Sequence, residues 1–328
     1  MSRFFIFVIA LFLPSILIAN GNWESDILQN YEYQYIHLDK NDRATAIRHI
    51  DNPIGDAVLY LHGYNDYFFQ KELGDSVVAH NYAFYALDLR RYGRSIKEGD
   101  KVFDIRKLDT YFEELDSIVS IIREDGNRTL TLMGHSTGGL IVSLYMAKHQ
   151  TDNEFIKGII LNSPFLDMNL SKFQEKILVP FVTSMPFKGL AISQGSSNSY
   201  AQSLLSKYHG EWDYNTDWKF EISPKVTVGW LTAIRKGQKY LRKDNVKIEK
   251  PILLLHSDKS IYGNEWSPEF NTGDSVLDVK DISKYGNKLG DNVKEVVIED
   301  GLHDLILSRK DVRQKAYKEI FDWLESNR

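Results

Sequence analysis

Hydrophobic and polar positions follow each other along most of the chain in blocks that predict strands and helices in turn. Short apolar runs are typical of buried strands, and longer segments with helical periodicity are typical of amphipathic helices. The predicted strands are 57–61, 83–87, 129–133, 156–161 and a run after Pro251, preceded by a hairpin at 33–38 and 44–50. The predicted helices are 68–80, 105–123 and 138–149. This alternation favours an α/β fold in which helices cover both faces of a mostly parallel sheet.

One junction between a predicted strand and a predicted helix has the sequence Gly134-His-Ser-Thr-Gly138. A G-x-S-x-G turn between a strand and a helix is the pattern of a nucleophile elbow, which holds its serine in a sharp, strained turn. Gly134 and Gly138 remove side chains that would clash in such a turn. Ser136 is therefore the candidate nucleophile.

A serine nucleophile needs a base, and the base needs an acid that orients it. With the order Ser, acid, His, the base is best matched by His303, which lies in a Gly turn after the predicted strand 296–298 and before the last helix. Two acids fit the order. Asp258 follows the strand 251–256 closely, whereas Asp274 lies in a Gly turn before the next helix, so the local patterns leave both open.

Residues from about 56 to 326 resemble the α/β-hydrolase superfamily, and within it the serine aminopeptidase S33, monoacylglycerol lipase and lysophospholipase-like branch. The matching motifs are Leu61-His-Gly63, Ala86-Leu-Asp-Leu-Arg-Arg-Tyr-Gly-Arg-Ser95, Gly134-His-Ser-Thr-Gly-Gly139, Asn162-Ser-Pro164, Gly273-Asp-Ser-Val-Leu-Asp278 and Gly301-Leu-His303. The resemblance implies an α/β-hydrolase fold and places the acid at Asp274. The sequence departs from the branch by inserting residues 257–272 between strand end and acid, so Asp258 stays the alternative.

The same resemblance implies an oxyanion hole made of two backbone N–H groups. One belongs to Tyr64, which follows His62-Gly63 after the strand 57–61, and the other to Thr137, the residue after the nucleophile. We expect His62 to pack beside the site and not to take part in proton transfer.

The alternation of strands and helices stops after Pro164 and resumes at Pro251, and the stretch between is rich in aromatic residues. Part of this stretch must pack on the core as extra helices. Its place in the order of strands predicts a helical cap at residues 165–245, with the α/β-hydrolase core at 20–164 and 246–328.

The composition of the 328 residues narrows the chemistry and the partners. Cysteine is absent, which excludes disulfides and thiolate metal sites, and no metal-binding or phosphate-binding motif is present. We therefore expect no cofactor and no metal. A net charge of −5, with no basic stretch interleaved with aromatic residues, argues against nucleic acid as a partner.

The first 19 residues are predicted to lie outside the fold, as a signal peptide. A short cationic start precedes the apolar run 4–18, and Ala19 is a small residue suited to cleavage. The run is shorter than the ~20 residues of a typical membrane span. We expect a secreted or periplasmic protein, with an uncleaved amino-terminal anchor as the alternative.

These features predict a serine hydrolase that acts on small-molecule or lipid esters. An aromatic cap can enclose an acyl chain, so a monoacylglycerol or lysophospholipid is favoured over a peptide. A peptidase or aminopeptidase of the S33 type, an acyltransferase and a non-catalytic binding protein on the same fold stay open. A membrane-surface contact through the cap or the amino terminus also stays open. The sequence does not determine the oligomeric state.

Overall fold

The computed structural model describes residues 23–38, 42–149, 154–168, 186–192 and 197–328. The predicted signal peptide, residues 1–19, lies outside the described residues. Within them, no helix is both long enough and apolar enough to cross a membrane.

The centre of the molecule is a sheet of nine strands. In chain order these are β1 (Glu24–Ser25), β2 (Tyr31–His37), β3 (Arg43–His49), β4 (Asp56–Leu61), β5 (Ala83–Asp88), β6 (Thr129–His135), β7 (Ile156–Asn162), β10 (Ile252–Ser257) and β11 (Val293–Ile298). Their spatial order is β1-β2-β3-β5-β4-β6-β7-β10-β11. The first four strands in this order pair antiparallel, and all pairs from β5 to β11 are parallel. The predicted hairpin and every predicted strand are confirmed.

The described residues contain seven α-helices. They are α1 (Lys71–Ala79), α2 (Phe112–Glu124), α3 (Thr137–Lys148), α4 (Ser199–Leu204), α5 (Val228–Leu241), α6 (Val279–Gly286) and α7 (Lys310–Ser326). Two predicted helices begin later than expected. The helix predicted from residue 105 is a 3-10 turn at Leu108–Tyr111 followed by α2, and the helix predicted from residue 68 begins at Lys71.

Helices cover both faces of the sheet, as predicted. Successive side chains of a strand point to opposite faces, so an apolar strand needs packing partners on both sides. On β4, Leu59 belongs to the core that the sheet forms with α2, α3 and α5, whereas its neighbours Val58 and Tyr60 pack on the side of α1 and α7. Strands buried on both faces read as near-continuous apolar runs, which is why the sequence located them well.

The segment between β7 and β10, where we predicted a helical cap, adds nothing to the large sheet in its described part. Besides α4 and α5 it holds a two-stranded ribbon of β8 (Ala191–Ile192) and β9 (Val226–Thr227), so it is not purely helical. Helix α5 packs closely on α3, since a Cβ at Gly237 would lie 2.7 Å from a side-chain carbon of Leu144. This helix is the extra core packing expected for part of the segment. We keep the name cap for residues 165–245; that they cover the substrate stays a prediction.

Candidate active site

The candidate residues lie where parallel strands end. Because parallel strands share a direction, their carboxyl ends meet at one edge of the sheet, where α/β proteins bind ligands. Ser136 follows β6, Tyr64 lies in the loop after β4, and His303 lies in the turn after β11. Asp274 comes from the segment between β10 and α6.

Ser136 adopts a strained conformation in a crowded turn. Its φ of 52° and ψ of −116° lie in a region that residues with a side chain rarely occupy. A Cβ on Gly134 would lie 2.7 Å from the backbone of Gly138, and a Cβ on Gly138 would lie 2.4 Å from the carbonyl oxygens of Leu61 and His62. Only glycine therefore fits at these two positions, where β6, α3 and the loop after β4 pack closely against one another.

The end of β7 connects the serine to the turn that carries His303. The backbone carbonyl of Asn162 accepts a hydrogen bond from the Ser136 N–H at 3.0 Å. The Asn162 side chain donates to Asp304 Oδ1 at 2.7 Å and accepts from the Leu305 N–H at 3.2 Å. One residue thus fixes the position of the serine relative to the histidine turn.

His303 and Asp274 form a buried pair. The distance from His303 Nδ1 to Asp274 Oδ2 is 2.9 Å, and both side chains are almost fully buried. The other carboxylate oxygen of Asp274 accepts hydrogen bonds from the N–H groups of Val276 and Leu277, each at 2.8 Å. A carboxylate fixed in this way orients the imidazole with Nδ1–H towards Asp274, which leaves Nε2 as the acceptor.

The insertion before Asp274, residues 257–272, forms a loop whose two ends are hydrogen-bonded to each other; we call this loop the excursion. The Asp274 N–H donates to the Lys259 carbonyl at 2.9 Å, and the Ile261 N–H donates to the Asp274 carbonyl at 2.8 Å. These bonds join the two ends of the excursion, so Asp274 returns to the end of β10 despite the added residues. Within it, the ring of Trp266 stacks on His209 of the cap at 3.4 Å between centroids.

Asp258, the alternative acid, makes its contacts elsewhere. Its Oδ1 accepts a hydrogen bond from the Asp300 N–H at 2.9 Å, and its side chain is 31% exposed. The structure brings Asp274, and not Asp258, to His303.

The loop after β4 passes directly against the elbow. A Cβ on Gly63 would lie 3.1 Å from the Ser136 Cβ. The buried His62 fixes this loop, because its Nε2 accepts from the Leu89 N–H at 3.1 Å and its Nδ1 lies 2.8 Å from the Gly63 carbonyl. Burial lowers the pKa of His62, which favours the neutral ring with its one proton on Nδ1, directed at the Gly63 carbonyl.

Next to Ser136 is a buried group of charges that the sequence analysis did not identify. His135 Nδ1 lies 3.7 Å from Asp66 Oδ2 and 3.9 Å from Asp304 Oδ2, and Lys219 Nζ pairs with Asp66 Oδ1 at 2.8 Å. Burial alone would lower the pKa of His135, but Asp304 and Asp66 outweigh it and raise that pKa. Burial likewise favours a higher pKa for Asp66, yet Lys219 and His135 hold it below its usual value.

Asp66, His135 and Asp304 have one donor atom each within 4.8 Å of the others, a spacing that could hold a metal ion. The ammonium of Lys219, however, already contacts Asp66 and would repel a cation. The residues present therefore fit a network of paired charges better than a metal site. One feature of the sequence could have indicated this network. Lys219 is a cation between Trp218 and Phe220, and a charged side chain that is buried among aromatic residues needs a partner of opposite charge.

His303 lies beside this network, with its ring centroid 4.9 Å from that of His135. In the described residues the Ser136 hydroxyl makes no hydrogen bond to His303. In enzymes, hydrogen bonds between a nucleophile and its base are often long without substrate and tighten in the complex.

The sheet order, the elbow and the His–Asp pair after the later strands define an α/β-hydrolase. The family comparison agrees, since a model described as serine aminopeptidase, S33, matches residues 53–265. The chain belongs to this family.

Solved structures resemble the whole fold. A monoglyceride lipase from Saccharomyces cerevisiae, in complex with a substrate analogue, has 16% identity and a TM-score of 0.66 over 92% of this chain and 98% of that one. A monoacylglycerol lipase from Paleococcus ferrophilus has 17% identity and a TM-score of 0.59 over 84% and 97%. Est1E from Butyrivibrio proteoclasticus has 14% identity and a TM-score of 0.55 over 90% and 98%. No curated protein matches.

Proposed function

We propose that the protein is a serine esterase that hydrolyses lipid-type carboxylic esters through an acyl-enzyme on Ser136. The observation that carries the proposal is the buried His303–Asp274 pair, 2.9 Å between Nδ1 and Oδ2, at the same sheet edge as a serine in a strained elbow. Strain of this kind is common at functional sites and needs a surrounding structure that enforces it.

The proposed reaction uses each residue in one role. His303 Nε2 takes the proton of the Ser136 hydroxyl as the oxygen attacks the ester carbonyl, and Asp274 stabilises the imidazolium that forms. The N–H groups of Tyr64 and Thr137 donate to the oxyanion of the tetrahedral intermediate. His303 then protonates the leaving alcohol, and water attacks the acyl-enzyme with His303 as base again.

The aromatic rings packed beside Tyr64, whose N–H is a proposed oxyanion donor, support an apolar acyl group as substrate. The ring of Tyr64 lies 4.8 Å from Trp230 and 5.2 Å from Phe103, between centroids, and Phe165 lies 6.4 Å from Trp230. Such rings contribute a large apolar surface.

The carboxylates near the nucleophile argue against recognition of a peptide's amino terminus. Asp66 is paired with Lys219, and Asp304 accepts hydrogen bonds from Asn162 and Gln70. A positively charged amine would have to displace these partners. The structural similarity to the two monoacylglycerol lipases supports an ester substrate.

The test is a comparison of substrates of graded length. p-Nitrophenyl esters from acetate to palmitate and a monoacylglycerol are assayed beside aminoacyl p-nitroanilides, with Ser136→Ala as the control for background. We expect turnover of the esters, with kcat/KM rising with acyl length, and loss of activity in the variant. Turnover of the anilides with inert esters would instead indicate an aminopeptidase, and no turnover with any substrate would indicate a binding protein.

A further inference from the structure

The loop after β4 is bonded to the cap along four consecutive residues. We call residues 64–67 the oxyanion loop, because Tyr64 supplies the proposed oxyanion donor. Their cap partners all lie within residues 215–224, which we call the clasp. The contacts are Tyr64 Oη to the Pro224 carbonyl at 3.1 Å, Asn65 to Phe220 and Ser223, Asp66 to Lys219 at 2.8 Å, and Tyr67 Oη from the Asn215 N–H at 2.8 Å.

The contact at Asn65 joins its side chain to the backbone of the clasp. Asn65 Nδ2 donates to the Phe220 carbonyl at 2.8 Å, and the Phe220 N–H donates back to Asn65 Oδ1 at 2.8 Å. Asn65 has a φ of 51°, a left-handed conformation that asparagine tolerates better than most residues. The paired hydrogen bonds anchor Asn65, the residue directly after Tyr64, to the clasp, so they restrict movement of the loop that carries the Tyr64 N–H.

The contact at Asp66 is a buried ion pair that also faces the nucleophile. The exposure of Lys219 is 5% and that of Asp66 is 1%. One carboxylate oxygen binds the Lys219 ammonium, and the other faces the ring of His135, the residue before Ser136. If the clasp moved away, Asp66 would lose its Lys219 partner while staying beside His135, so this pair links the position of the clasp to the loop beside the nucleophile.

We propose that the clasp is part of the framework of the oxyanion hole, with Lys219 and Asn65 as positioning residues for the Tyr64 N–H. The cap then has a second role besides enclosing the substrate, because docking of the clasp and assembly of the oxyanion hole are one event. The inference rests on the proposed esterase function and adds a residue from the cap to its catalytic apparatus.

The test separates positioning from substrate binding. Lys219→Met keeps the aliphatic stem and removes the ammonium, and Lys219→Arg keeps a cation. Lys236→Met is the matched control, an exposed cap lysine on α5 outside the clasp. Each purified full-length variant is assayed for kcat and KM on short-chain and long-chain esters. A trifluoromethyl ketone that forms a tetrahedral adduct reports affinity for the transition state, and circular dichroism reports folding.

We expect Lys219→Met to lower kcat and the affinity for the ketone together, by about 10- to 100-fold, since loss of one oxyanion donor costs 10²- to 10³-fold and misplacement costs part of that. KM should stay within about twofold at both chain lengths, because ground-state binding does not use the oxyanion hole. Lys219→Arg should recover part of the loss, and Lys236→Met should match the wild type.

A rise in KM that grows with acyl-chain length, at unchanged kcat and unchanged ketone affinity, would overturn the inference, because the clasp would then only bind acyl chains. If Lys219→Met does not fold, the double variant Asp66→Asn/Lys219→Met removes both buried charges and should show the same parallel loss; wild-type values in it would also overturn the inference. The proposed function fails separately, when the wild type itself hydrolyses no ester.

Discussion

The triad acid offers the most discriminating prediction, because two aspartates competed for it on sequence grounds. Asp274→Asn replaces the oxygen that lies 2.9 Å from His303 Nδ1 with a neutral amide. The N–H groups of Val276 and Leu277 still need an acceptor, so the amide oxygen should take that place and direct the NH₂ group towards His303. The imidazole would then carry its proton on Nε2, where it cannot act as base.

The expected magnitude follows from the same geometry. Loss of the correct tautomer and of the charge that stabilises the imidazolium costs about 10⁴-fold in kcat in a Ser-His-Asp triad, or about 5.5 kcal/mol of transition-state stabilisation. Folding should persist because the substitution conserves shape and the two backbone hydrogen bonds.

Asp258→Asn is the matched control, and kcat on a p-nitrophenyl ester is the assay. The partly exposed Asp258 accepts hydrogen bonds from the Asp300 N–H and the Ser257 hydroxyl on one oxygen, and an amide oxygen can also accept them. We expect its kcat to stay within about threefold of the wild type, a surface change of small energy. A folded Asp274→Asn enzyme with near wild-type kcat, or a larger loss in Asp258→Asn, would refute the assignment.

Three further predictions concern other parts of the molecule. Ser136→Ala should abolish ester turnover, by many powers of ten, and leave the melting temperature within a few degrees, because it removes the attacking oxygen and little packing; a variant with substantial turnover would show another nucleophile. Burial alone would raise the pKa of Glu295. Hydrogen bonds from Ser283, His256 and Asn287 outweigh burial and lower the pKa from 4.5 to about 2. Its ionised form therefore stabilises the fold above about pH 4.5, and this contribution is lost as the pH falls towards 2; the difference in unfolding free energy between wild type and Glu295→Gln should shrink over that window, and a constant difference would contradict the linkage. Residues 4–18 should direct export, with cleavage near Ala19 or Gly21; amino-terminal sequencing of protein from its native host tests this, and a cytosolic protein that begins at residue 1 or 2 would refute it.

The strands and the elbow could be predicted because their causes are local. A parallel strand buried on both faces is apolar along its whole length, and Gly134 and Gly138 are required by close backbone contacts on either side of Ser136. The predicted helix starts were less accurate, because Leu108–Tyr111 has the same apolar periodicity as α2 but folds as a 3-10 turn.

The remaining parts of the site depend on contacts between distant residues. Asp66 and Lys219 are 153 residues apart in the chain, and neither lies in a motif that predicts the other. The acid was ambiguous for the same reason. Local pattern could not show that backbone bonds at Lys259 and Ile261 close the excursion and return Asp274 to the strand end.

The identity of the nucleophile is the central claim, and active-site labelling tests it most directly. The full-length protein is treated with a fluorophosphonate, which phosphonylates activated serines, and the adduct is located by peptide mass spectrometry, with Ser136→Ala as control. We predict one adduct per chain, on the peptide that contains Ser136, and none on the variant. An adduct on a different residue, or an unlabelled wild type that still hydrolyses esters, would contradict the account.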